Sequence, residues 1–285
     1  MTVQVSYKNK ISSNNIILFV DHIFNTKPIA KYLTKIELNY INGLIKQKDL
    51  KKNFHLFEIN SKKKIILISL KKNLEAFEIE NLGADFYNFI KTNNITKLSI
   101  NSHTIKNEFQ DDPTGRFLHG LKLKAYEFNL YKYKKNKNLI LIDVFTKKNN
   151  NTIKNEIRFK ALEEGTNFAR DLVSEPPNVL NPKEYVKRLL KLRKLGIKVT
   201  VYNEKQLFKL GMHSLLGVGR GSINESFLVT LEWNGNKKNK KELLSFVGKG
   251  VCFDTGGISL KPAKFMEEMK YDMAGSAVVA GLIQV

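Results

Sequence analysis

Leu243-Leu244-Ser245-Phe246-Val247-Gly248-Lys249-Gly250-Val251-Cys252-Phe253-Asp254-Thr255-Gly256-Gly257 joins an apolar run to a glycine-rich turn that carries a lysine and a carboxylate. The run Leu243–Val247 reads as a buried strand. Polar groups gathered at the end of such a strand sit where open α/β sheets place their ligands. Lys261 follows, and Met269-Lys270-Tyr271-Asp272-Met273 brings a second aspartate. Two lysines and two carboxylates are therefore expected to converge. The sequence stops at Val285, a few residues into an expected helix, so the site reads as half written.

Size and composition bound the rest. A chain of 285 residues with 42% apolar residues is long enough for one large domain or two ordinary ones and too apolar to be disordered. No apolar run approaches the roughly 20 residues that cross a bilayer. The N-terminus MTVQVSYKNKISSNN lacks the basic-then-apolar order of a secretory signal, and the lone Cys252 excludes an internal disulfide framework. A cytoplasmic protein is the expectation, with no membrane partner. The net charge of +21 raises nucleic-acid binding as an alternative. Its lysines, however, fall in short scattered runs such as Lys62–Lys64, Lys132 to Lys137 and Lys237 to Lys241, among asparagines and isoleucines. That is the pattern of a general compositional bias, so nucleic acid is not the expected partner.

Outward from the central stretch, strand-like and helix-like segments alternate. Ile16–Val20 is a short apolar run. Phe54–Ile59 and Ile65–Leu70 flank Asn60-Ser61-Lys62-Lys63-Lys64, which predicts a hairpin. Leu74 to Ile90 has helical spacing, Leu98–Ile100 is strand-like, Phe117 to Tyr126 helical, and Leu139–Phe145 (LILIDVF) is the plainest buried strand of this half. The polar cluster from Lys147 to Thr152 is the best boundary, giving an N-terminal α/β domain over 1–150 and a second domain over 151–285. Ile153 to Val173 reads as a long amphipathic helix stopped by Pro176 and Pro177. Asn181-Pro182 opens another helix to about Leu195, which Gly196 closes. Strands are expected at Ile197–Tyr202 and Phe227–Trp233, with a short helix over Glu204–Leu210 ended by Gly211.

On residue chemistry alone, Asp254 and Asp272 have two readings. As hard oxygen donors they suit a divalent cation. Equally, Asp254 suits a turn and Asp272 the N-cap of a helix starting near Ala274. Lys249 and Lys261 would serve a cation site in two ways: one as a deprotonated ligand, the other as a charged group for an oxyanion. His22, His55, His103, His119 and His213 are scattered and read as packing or surface residues. Cys252 has no histidine near it in sequence to activate it. Gly217-Val218-Gly219-Arg220-Gly221 lacks the ending of a phosphate loop.

VGKGVCFDTGGISLKP, followed by MEEMKYDMAGSA, closely resembles the signature of the leucyl aminopeptidase (cytosol aminopeptidase) family of two-metal exopeptidases. Asn167–Val173 with Glu175-Pro176-Pro177-Asn178, and Gly211 through Gly219 with Gly221-Ser222, agree in the same order. The resemblance covers about residue 160 to Val285. It implies the first part of an α/β catalytic domain with a central mixed sheet, behind the N-terminal α/β domain. It also implies that Lys249 and Asp272 ligate the tighter metal, that Asp254 bridges both, and that Lys261 polarises the scissile carbonyl and stabilises the oxyanion. Met269 would line the pocket for the N-terminal side chain. The implied cofactors are two divalent metal ions (manganese, zinc or magnesium), with bicarbonate as a base in the complete enzyme. The implied substrates are peptides with a free, leucine-like N-terminus, and the implied assembly is a homohexamer of two trimers.

The family's later Asn-Thr-Asp-Ala-Glu-Gly-Arg block, which completes both metal sites and holds the bicarbonate, has no counterpart in this chain. The expected helix Gly275–Val285 would also expose Val278, Val279, Leu282 and Ile283. The chain is thus expected to be truncated at its C-terminus and to lack aminopeptidase activity on its own. The alternatives are an inactive truncated relative that binds or assembles, and a basic nucleic-acid-binding protein.

Overall fold

Strand β2 (Asn15–Asp21) is apolar at every position from Ile16 to Val20, and all five are buried. Such a continuous run belongs to a strand covered on both faces. The computed structural model describes residues 2–47, 52–105, 111–133, 139–146, 150–236 and 243–285. The lysine run Lys237 to Lys241 lies outside them, as do parts of Lys132 to Lys137 and of the polar boundary from Lys147 to Thr152. The chain divides into two compact units, Met1–Lys160 and Ala161–Val285.

In the first unit β2 lies inside a six-stranded mixed sheet. Its order is β1 (Thr2–Lys8), β6 (Leu139–Phe145), β5 (Lys97–Asn101), β2, β4 (Lys64–Leu70) and β3 (Phe54–Glu58). All neighbours are parallel except β3, which returns antiparallel to β4 as the expected hairpin. Successive side chains point to opposite faces, and the cores divide accordingly. Ile17 and Phe19 of β2 join Ile66 and Ile68 of β4 under α2 (Ala76–Thr92) and α3 (Pro113–Lys124). Ile16, Leu18 and Val20 join Ile65 and Leu67, with Ile41 of α1 (Lys35–Ile45) and Ile29, on the other face. The N-termini of these helices are capped by their own sequence. Thr34 and Glu37 form a reciprocal capping box on α1, and Asp112 accepts from Gly115 N ahead of Pro113. The α/β class is as expected from the sequence.

The second unit opens in α4 (Asn150–Ser174), which ends ahead of Pro176 as anticipated. Asn181 caps α5 (Pro182–Leu190) through a bond from Glu184 N, a 3-10 turn carries the chain to Leu195, and Gly196 turns it at φ 82°. Strands β7 (Lys198–Tyr202) and β8 (Leu228–Glu232) pair antiparallel, with α6 (Glu204–Lys209) and α7 (His213–Gly219) between them. The chain closes on α8 (Ala274–Gln284). Leu172, Leu180, Tyr185, Leu189, Val199, Cys252, Met273 and Ala277 share one core.

One expected strand is missing from this unit. Leu243–Val247 forms no strand, and Leu243, Leu244 and Val247 are 92%, 83% and 97% exposed. An apolar run becomes a buried strand only where neighbours take its N–H and C=O groups and its side chains. Among the described residues β7 and β8 pair only with each other, and nothing pairs with this run.

Candidate active site

Cys252 and Met273 are buried in the core of the second unit and pin the two ends of the glycine-rich region. Between them the backbone turns at Gly256, whose φ of 90° and whose position, 2.3 Å between an added Cβ and Ser259 O, both require glycine. Asp254 Oδ1 accepts from Gly256 N at 2.8 Å, so the turn reading of this residue holds. Its other oxygen, Oδ2, accepts from Lys261 Nζ at 2.9 Å. Lys261 is held by its own backbone, which donates to Thr255 O at 2.9 Å, and its amine also lies 2.9 Å from Met269 Sδ. Met269 sits in a 3-10 turn over Met266–Tyr271.

Asp272 is not the cap of α8. Met273 holds that position without a side-chain bond. Asp272 instead directs Oδ1 at Lys249 Nζ, 2.8 Å away, while its Oδ2 is buried with no partner. Lys249 and Asp254 also feel each other's charge, which links the two lysine–carboxylate pairs into one cluster. The hydrogen bond and charge of Asp272, then the charge of Asp254, raise the Lys249 amine above its ordinary value. The Lys261 hydrogen bond, the Gly256 N–H and the charges of both lysines hold the Asp254 carboxyl below its ordinary value. The structure therefore brings Lys249, Asp254, Lys261, Asp272 and Met269 together.

Two observations bear on whether a cation fits. A buried carboxylate oxygen without a partner at Asp272 is a donor in want of a proton or a cation. Lys249 supplies a nitrogen that ligates only once deprotonated, a loss that a dication beside it would drive. The donors fit one cation in part. Among the described residues no group of three or more His, Cys, Asp or Glu side chains gathers. Four of the five histidines lie against aromatic rings, buried His55 against Phe24 and His119 against Phe159, exposed His103 against Phe145 and His213 against Phe208, and His22 is at the surface. Burial pushes the Cys252 thiol up to about 11, which suits an anchor and not a nucleophile. Gly217 and Gly219 belong to α7 and form no phosphate loop.

Two further residues were not singled out in the sequence. Tyr185 OH lies 2.9 Å from Ser276 Oγ, and Ser276 N donates to Lys249 O at 2.9 Å. Tyr185 and Leu189 form the buried stripe of α5, a spacing that marks a core residue and says nothing of its hydroxyl.

A profile of the cytosol aminopeptidase family, catalytic domain, matches residues 167–285. A probable cytosol aminopeptidase of Afipia carboxidovorans is 48% identical over 168 residues, covering 58% of this chain and 34% of its own. The corresponding protein of Caulobacter vibrioides is 38% identical over 214 residues, covering 74% and 42%. Among solved structures, a tomato leucine aminopeptidase mutant superposes with a TM-score of 0.78 at 17% identity, over 99% of this chain and 59% of that one. Cytosol aminopeptidase from Coxiella burnetii gives 0.73 at 20% identity, over 98% and 56%. At such identities the structures speak for the fold alone. The chain spans less than half the length of the curated relatives it matches. Residues 167–285, which carry the lysine–carboxylate cluster, match the catalytic domain of the cytosol aminopeptidase family.

Proposed function

We propose that this chain contributes the first part of the active site of a metal-dependent aminopeptidase that removes N-terminal, leucine-like residues from peptides. The observation that carries the reading is the convergence of Lys249, Asp254, Lys261 and Asp272 into two linked lysine–carboxylate pairs. Residues 1–150 serve as the N-terminal domain and 151–285 as the first part of the catalytic one.

In this reading Lys249, as a neutral amine, and Asp272 would hold one divalent ion, and Asp254 would serve that ion and a second. Manganese, zinc or magnesium suits oxygen and amine donors, and a neighbour in fold, the bottromycin maturation enzyme BotP, is described in complex with Mn. Such ions supply Lewis acidity and a nucleophilic water near neutral pH. The protein's own part is orientation and charge. The Lys261 ammonium, steered by Asp254, polarises the scissile carbonyl and stabilises the oxyanion that follows attack. Met269, against the Lys261 amine, borders the place of the substrate's first side chain. Bicarbonate as a base, a homohexamer and a cytoplasmic location belong to the same proposal. No helix of the described residues is long and apolar enough to cross a membrane.

The gene product purified from its own cells, given excess manganese, is expected to release the chromophore of a leucyl substrate. Lys261→Ala is expected to lower kcat by about 10²-fold or more. A chelator is expected to abolish turnover, and turnover indifferent to both changes overturns the reading.

A further inference from the structure

The two backbones that carry Lys249 and Asp272 meet at the start of α8. Ser276 N, one of the first-turn donors that a helix leaves without an internal partner, donates to Lys249 O at 2.9 Å. Ser276 Oγ donates to Met273 O at 2.8 Å, one residue from Asp272. A serine hydroxyl has a single proton, and that bond uses it. Ser276 Oγ therefore accepts in its 2.9 Å contact with Tyr185 OH, and the tyrosine donates. Burial pushes the Tyr185 hydroxyl up to about 12, so it keeps the proton it donates throughout the neutral range. The tyrosine itself is fixed in the core of the second unit beside Cys252 and Met273. Close packing leaves this junction no slack, since a Cβ on Gly248 would lie 2.5 Å from Ser276 Cα.

We infer that Tyr185 is a positioning residue of the metal site: its hydroxyl, relayed through Ser276, fixes the Lys249 backbone against the turn that carries Asp272. The inference rests on the metal-site reading above and adds to it residues that touch neither metal nor substrate. Hydrogen bonds behind first ligands commonly account for 10–100-fold in metal affinity. The same is expected here because Lys249 must exchange its ion pair with Asp272 for shared ligation of one ion.

The test is manganese binding to the 285-residue chain by isothermal titration calorimetry, with thermal unfolding followed by circular dichroism. Tyr185→Phe and Ser276→Ala are each expected to weaken binding about tenfold with little change in the melting temperature. The double variant should be no weaker than either alone, because both break one relay. Ser276→Thr keeps the hydroxyl and is expected to keep the affinity. If Tyr185→Phe does not fold, the contrast between Ser276→Ala and Ser276→Thr decides. Affinity within twofold of the parent in Tyr185→Phe and Ser276→Ala, with binding lost in Asp272→Asn, overturns the relay and leaves the metal site standing. Equal binding by the parent and Asp272→Asn, or none by the parent, overturns the site and the relay with it.

Discussion

Asp272 presents two oxygens in unlike settings, one against Lys249 and one buried without a partner. Lysines and aspartates among glycines were legible in the sequence because they are unusual company for each other. Tyr185 was not, since a tyrosine on an apolar helix face looks the same whether or not its hydroxyl is used. Glycine at 256 can be tested by comparison with its neighbour. At Gly257, with φ 68° and open space, alanine is expected to cost about 1 kcal/mol. At Gly256 the clash with Ser259 O adds to the backbone strain, and Gly256→Ala is expected to cost about 3 kcal/mol. Urea unfolding of both variants measures the gap, and equal costs would show that the Ser259 contact yields. In the first unit Asp143 offers a test by pH. Burial alone would raise its carboxyl, but hydrogen bonds from Ser12 and Ser6 and the charges of Lys8 and Lys97 outweigh it, leaving it below its ordinary value. A lowered folded value gives stability that is present above the unfolded aspartate value and is lost as pH falls through the folded one. Stability measured from pH 6 downwards should therefore fall less steeply in Asp143→Asn than in the parent, and an unchanged slope would remove Asp143 from the account.

Most elements were legible because propensity, caps and spacing agreed. Phe54–Glu58, Lys64–Leu70, α2, α4, α5, β7 and β8 all stand within a few residues of their expected places. The exceptions are instructive. Strand β1 carries Val3, Val5 and Tyr7 in strict alternation, and α1 opens on a Thr34–Glu37 capping box, so both elements have a local signal in the sequence. Helix α3 starts four residues before Phe117 because Asp112-Pro113 caps it, a signal that lies ahead of the apolar stripe. Helix α7 has little to announce it, with two glycines in seven residues. Packing between elements leaves no mark that spacing alone reveals. The α2–α3 contact depends on two glycines: a Cβ on Gly83 would lie 1.9 Å from Phe117 O, and one on Gly120 would lie 1.8 Å from Glu80 O. Gly83→Ala and Gly120→Ala must push the helices apart and are each expected to cost about 2–3 kcal/mol. Gly43, in α1, has nothing within 4 Å, and Gly43→Ala should be neutral or stabilise by up to about 1 kcal/mol. Denaturant midpoints of the three variants test this, and a loss at Gly43 equal to the others would mean that the helix contact is not the cause.

At the scale of the molecule, fold and site part company. The first unit closes a sheet over two apolar faces, while the second holds a two-stranded sheet and leaves Leu243–Val247 in solvent. The sequence marked that run correctly as apolar. It could not mark whether a strand would have neighbours, because pairing is a property of other segments. The same limit governs the metal site. The cluster offers two carboxylates and one amine, and no third acidic, histidine or cysteine donor joins them among the described residues. Zinc asks for about four ligands and manganese or magnesium for about six, so two ions would have to share three side chains, each already in a lysine–carboxylate pair. One weakly held ion is the most this set supports, where the two-metal reading calls for two. The 285-residue chain expressed alone is therefore expected to bind manganese yet release no measurable chromophore from a leucyl substrate, even with manganese in excess. Metal-dependent turnover by this chain that Lys261→Ala abolishes would overturn the argument, because it would mean that three paired side chains suffice for two-metal chemistry.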